Sequence, residues 1–277
     1  MECALENITV YYETYGEGRP IIMLHGWPVD HRHMVSDMEP LFKCRKRWKR
    51  IYPDLPGMGN TPGMDWITHQ DQMLDLTLEF IDEAAPGQRI VVAGTSYGGY
   101  LARGVVHRRA DMIDGLLLTV PVIRARDNER TLPPHVTLVE DPALVTELGF
   151  DEKEAFLEMA VVQSRELLDV MRADIFPAFE AADHEFLSRL ERQNYAFSFD
   201  VDALAEPFAG PTLFLLGRQD ALCGYRDAWE ILENYPRGTF VVLDRAGHGL
   251  GTEQKDLFHA LVREWLDRVE EYIKTVE

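Results

Sequence analysis

Residues 89–99 read RIVVAGTSYGG. The apolar run Ile90-Val91-Val92-Ala93 leads into Gly94-Thr95-Ser96-Tyr97-Gly98-Gly99. Four successive apolar residues predict a strand buried on both faces. The glycines predict a sharp reversal into a helix beginning near Gly98. Side chains two residues before and after Ser96 would collide at such a turn, so glycine fits both places. The turn forces the serine into a strained backbone conformation and leaves its hydroxyl exposed above the sheet. The helix N-terminus beside it favours a developing anion. A lone G-x-S-x-G is common by chance; its weight here comes from the strand before it and the helix after it.

Outward from this turn the same pattern repeats. Residues 8–14, 20–24, 113–120, 211–217 and 239–244 read as strands, and 50–54 more weakly. Residues 68–84, 254–274 and a stretch near 225–234 read as helices. Alternating buried strands and helices predict an α/β fold, a mostly parallel central sheet flanked by helices. The pattern breaks between 124 and 206, where helices are expected over 151–174 and 177–193 and no strand is evident. The expected organisation is a core domain of residues 1–123 and 207–277, interrupted by a helical cap insertion at 124–206.

Serine is a poor nucleophile at neutral pH and needs a base, which in turn needs an orienting acid. His248 lies in DRAGHG, just past the last strand, and Asp220 lies in GRQD, just past the preceding one. Both positions are where open α/β sheets gather their ligands, and the order Ser, Asp, His suits such a fold. Each has a plainer reading, His248 as a polar loop residue and Asp220 as a turn or helix cap. Two backbone donors could complete an oxyanion hole: the Tyr97 N–H, and the Trp27 N–H within His25-Gly26-Trp27-Pro28.

The chain resembles a capped α/β-hydrolase of the esterase-like serine type. HGWP at 25–28, DLPGMG at 54–59, GTSYG at 94–98, GRQD at 217–220 and GH at 247–248 follow that family's pattern in order and approximate spacing. The resemblance implies that Ser96, Asp220 and His248 form a catalytic triad, that Trp27 and Tyr97 donate the oxyanion hole, and that the insertion covers the pocket. HGWP is also similar to epoxide hydrolases. Those use an aspartate nucleophile and two cap tyrosines, whereas this chain has Ser96 and, in the insertion, Tyr195.

Composition narrows the partners. The chain has 47 acidic against 28 basic residues, a net charge of -19. Such a surface repels phosphate backbones and anionic lipid, so nucleic acid and membrane partners are not expected. The basic run from Lys43 to Arg50 is the local exception and reads as a solvated helix face or loop. Cys3, Cys44 and Cys223 show no metal spacing, so neither a disulfide framework nor a zinc site is expected, and the expected serine chemistry requires no metal or cofactor. His31 and His33 lack an evident third ligand. Asp30 stands in the same stretch with no role assigned. Phe150, Phe156, Met159, Met171, Phe176 and Phe179 could line an apolar substrate pocket, but their helical spacing better suits packing within the insertion, and the two roles are compatible. The N-terminus does not read as a signal peptide, and a reducing cytoplasm is the expected location. Oligomeric state has no reading in the sequence.

The leading expectation is hydrolysis of a small ester, lactone or thioester through an acyl-enzyme on Ser96. Two alternatives stand beside it: carbon–carbon bond hydrolysis of a vinylogous diketone, and a ligand receptor on the same scaffold.

Overall fold

The apolar runs become the middle of an eight-stranded sheet in the computed structural model, which describes residues 1–276. The strands are β1 (Glu2–Ala4), β2 (Thr9–Tyr15), β3 (Arg19–Leu24), β4 (Trp48–Pro53), β5 (Ile90–Thr95), β6 (Ile113–Thr119), β7 (Thr212–Gly217) and β8 (Gly238–Leu243). Their order is β1-β2-β4-β3-β5-β6-β7-β8. β2 pairs antiparallel with β1 and β4, and every pairing from β4 through to β8 is parallel.

Residues alternate between two cores. Val92, Leu116, Leu118, Phe214 and Leu216 face one core, and Val91, Ala93, Leu117, Leu213 and Leu215 face the other. Apolar residues on both faces need a helix layer on each. α2 (Gln70–Ala84) and α3 (Tyr97–Arg109) supply Met73, Leu74, Leu101 and Val105 to the first core. α1 (His31–Phe42) and α11 (Lys255–Val276) supply Met34, Met38, Val262 and Trp265 to the second. This is the α/β-hydrolase architecture. No helix among the described residues is long and apolar enough to cross a membrane.

Between β6 and β7 the described residues form no strand; a single bridge joins Val139 and Val162. The helices there are α4 (Pro142–Thr146), α5 (Phe150–Met159), α6 (Arg165–Val170), α7 (Phe176–Ala181) and α8 (His184–Asn194). After β7 come the short α9 (Arg226–Glu230) and α10 (Leu250–Glu253). The expected helix over 151–174 is interrupted. Ala160–Gln163 are not helical: Ala160 is extended, β-branched Val161 and Val162 leave the helix, and Ser164 caps the next one by accepting from Leu167 N–H. Phe156 and Met171 are buried within the insertion as expected, but Phe150 and Phe179 are exposed.

The basic run is largely the solvated loop expected, with Lys43, Lys46 and Arg47 exposed. It leaves α1, turns, and enters β4 at Trp48, and two of its cations meet acids: Arg45 pairs with Asp267 and Glu270, and Arg50 with Glu39.

Arg103 on α3 is fully buried. It pairs with Asp202 of the inserted segment and donates to the carbonyls of Val122 and Ile123. Its removal strands a carboxylate and two carbonyls without donors. Arg103→Met is therefore expected to lower unfolding stability by about 3 kcal/mol, read from the midpoint of urea denaturation.

Candidate active site

The parallel strands put their carboxyl ends along one edge, and four loops there carry the residues singled out in the sequence. Ser96 sits between β5 and α3 at φ 53, ψ -117. That left-handed backbone is costly for a residue with a Cβ. The glycines around it are required by space. A Cβ on Gly94 would lie 2.2 Å from the Gly98 carbonyl oxygen, and one on Gly98 would lie 2.1 Å from that of Leu24. The strained residue is pinned by Ser96 N–H donating to Thr119 O at 3.0 Å and by its own carbonyl accepting from Val122 N–H at 3.0 Å.

The HGWP loop follows β3 and lies against this turn. A Cβ on Gly26 would fall 3.3 Å from Ser96 Cβ and 3.8 Å from Oγ. His25 is buried; the Leu55 N–H donates to its Nε2 at 2.9 Å, so Nδ1 carries the proton and donates to Gly26 O at 2.8 Å. Burial lowers the His25 pKa, in keeping with this neutral form. Among the described residues the Trp27 and Tyr97 N–H groups have no hydrogen-bond acceptor. The Trp27 ring meets those of Tyr97 at 5.1 Å and Tyr195 at 5.5 Å, so the insertion packs on both loops.

Asp220 and His248 are brought together. His248 Nδ1–H donates to Asp220 Oδ2 at 3.1 Å, and Asp220 Oδ1 accepts from Leu222 N–H at 2.9 Å and Cys223 N–H at 3.0 Å. Burial works to raise the Asp220 carboxyl, but His248 and these N–H groups outweigh it and hold it below the usual range. Burial likewise disfavours a charged His248, yet the Asp220 carboxylate and the adjacent Cys223 thiol raise the imidazole well above its ordinary value.

Ser96 is not bonded to His248 among the described residues. Its Oγ lies 3.9 Å from Cys223 Sγ, so the thiol stands where the three chains of residues converge. Cys223 had no motif to mark it; the only signal was its place three residues after Asp220. Two donor groups have atoms within 4.8 Å of one another: Asp220, Cys223 and His248, and Asp30, His31 and Asp54. In the second, Asp30 caps α1 and binds Arg32, while Asp54 accepts from His31 and Asn60. In the first, both Asp220 oxygens accept hydrogen bonds, one of them from His248 Nδ1, and Cys223 Sγ contacts Ser96 Oγ. His33 faces Asp37 instead.

Residues 21–261 match the model of a family described as the alpha/beta hydrolase family. The chain is 22% identical to a pimeloyl-[acyl-carrier protein] methyl ester esterase of Legionella pneumophila, over 94% of this chain and all of that one. It is 26% identical to the AB hydrolase superfamily protein YisY of Bacillus subtilis, over 94% and 96%. Among solved structures, an alpha/beta superfamily hydrolase from Oenococcus oeni superposes with a TM-score of 0.87 at 28% identity, covering 98% of this chain and 99% of that one.

His248 is expected to titrate above about 6.5 in a histidine NMR titration. In Asp220→Asn its pKa should fall, because the strongest influence raising it is removed while burial still acts.

Proposed function

The chain belongs to the alpha/beta hydrolase family, and from that premise we propose that it is a serine hydrolase of small esters. The observation that carries the reading is the hydrogen-bonded Asp220–His248 pair beside a serine held in a strained turn. The names of the curated relatives, esterases of a methyl ester, favour ester cleavage over carbon–carbon cleavage. Lactones and thioesters share the same carbonyl chemistry.

In the proposed reaction Ser96 Oγ rotates away from Cys223 to meet His248. The imidazole takes the hydroxyl proton as Oγ attacks the carbonyl carbon, and the carbonyl π electrons move to oxygen. The Trp27 and Tyr97 N–H groups, free of other acceptors, hold that oxyanion, each contributing about 3–4 kcal/mol. Collapse breaks the bond to the alcohol, which leaves with the proton from His248. Water attacks the acyl-enzyme with His248 again as base, and releases the acid and free Ser96. Asp220 holds the imidazole in the tautomer with Nδ1 protonated and stabilises its charged form. Residues 124–206 act as the cap that covers the acyl pocket, and no metal or cofactor takes part.

Ser96→Ala is expected to abolish fluorophosphonate labelling and to lower kcat on p-nitrophenyl esters by roughly 10⁴-fold or more. Equal labelling of variant and wild type refutes the nucleophile. The base must be neutral to accept a proton, so kcat/KM should rise with pH through the raised His248 pKa, with its acid limb centred above about 6.5.

A further inference from the structure

Glu253 ends α10, five residues past His248, and is buried. It touches none of the reacting groups described above. One carboxylate oxygen accepts the N–H groups of Val161 at 2.7 Å and Val162 at 3.1 Å; the other accepts the N–H of Gly247 at 2.6 Å. Val161 and Val162 are the break in the inserted helices, and Gly247 is the residue before His248. The two segments also meet directly, since a Cβ on Gly247 would lie 2.7 Å from Val161 Cγ2.

A buried carboxylate is costly unless its oxygens are satisfied. Burial raises the Glu253 pKa, and the three N–H groups work against that. No ion pair with Glu253 is found among the described residues. Its partners are thus backbone donors from two separate parts of the chain.

We propose that Glu253 is a positioning residue that fixes the His248 loop to the inserted segment, so that the imidazole is correctly placed only when residues 161–162 are seated. The proposal rests on the reading of His248 as the base. It requires two accepting oxygens, which explains a carboxylate here. Glutamine has the same shape but turns an N–H₂ toward one of the two sets of donors and must release it.

The test compares wild type, Glu253→Gln and Glu253→Ala. Active enzyme is counted by fluorophosphonate titration, kcat and KM are followed against pH on a p-nitrophenyl ester, and hydrogen exchange is measured in residues 158–164 and 245–252. In Glu253→Gln we expect kcat per active site to fall roughly tenfold to a hundredfold with KM unchanged. The acid limb should move to lower pH as the grip of Asp220 on His248 loosens, and exchange should rise in both segments together. Wild-type kcat and an unmoved limb in folded Glu253→Gln overturn the proposal, as does a rise in exchange confined to one segment. If Glu253→Ala does not fold, the isosteric glutamine variant carries the test. If wild type neither labels nor turns over, the ester-hydrolase reading has failed. Exchange then decides for Glu253 alone: a joint rise supports the clamp, and a one-sided rise overturns it.

Discussion

The site depends on one residue held where L-residues rarely sit. Ser96 at φ 53 costs on the order of 1–3 kcal/mol, and the surrounding strands supply it. Thr119 O at the end of β6 takes its N–H, and Val122 N–H beyond β6 meets its carbonyl. Gly94, Gly98 and Gly26 clear the space around it. The parallel sheet therefore does more than display the serine. The next strand over supplies the acceptor that keeps the turn from relaxing.

A second theme is the use of buried carboxylates as loop anchors. The charge of -19 comes from acids spread over the surface, but Asp54, Asp220 and Glu253 are buried. Each accepts backbone N–H groups: Asp54 from His31 and Asn60, Asp220 from Leu222 and Cys223, and Glu253 from Val161, Val162 and Gly247. Charge-assisted bonds of this kind offset much of the desolvation cost. They also hold irregular backbone in one shape where no ladder is available to do so.

Much of this was legible in the sequence, for identifiable reasons. The central strands announced themselves because β3, β5, β6 and β7 are apolar on both faces. The loops around Ser96, Asp220 and His248 were legible because glycine and strand ends mark them. α1 was less so: its apolar face of Met34, Met38 and Leu41 is interleaved with His31, His33 and Pro40. The break at 160–164 was hidden because Glu, Leu, Met and Ala on either side favour helix, and what stabilises the break is a carboxylate some ninety positions away in the chain. Local propensity cannot register such a partner. Cys223 was missed for the same reason, since its neighbours Ser96 and His248 arrive from different strands.

The segment between β6 and β7 reaches the strand-end loops of the candidate site by two kinds of contact, and they differ in stiffness. Tyr195 meets Trp27 and Tyr97 through ring edges and faces at 5.5 and 5.8 Å. Such packing is adjustable, because dispersion and quadrupole terms vary gently with small displacements. Glu253 meets the insertion through hydrogen bonds at 2.7 and 3.1 Å, which weaken steeply when bent or stretched. A shift of that segment that the aromatic contact absorbs is therefore transmitted by the carboxylate to Gly247, and so to the neighbouring His248. The Trp27 and Tyr97 loops thus meet the segment between β6 and β7 through the softer contact, and the His248 loop meets it through the stiffer one. On the proposed reading of His248 as the base, changes in that segment are accordingly coupled to the rate of the chemistry and not to binding alone.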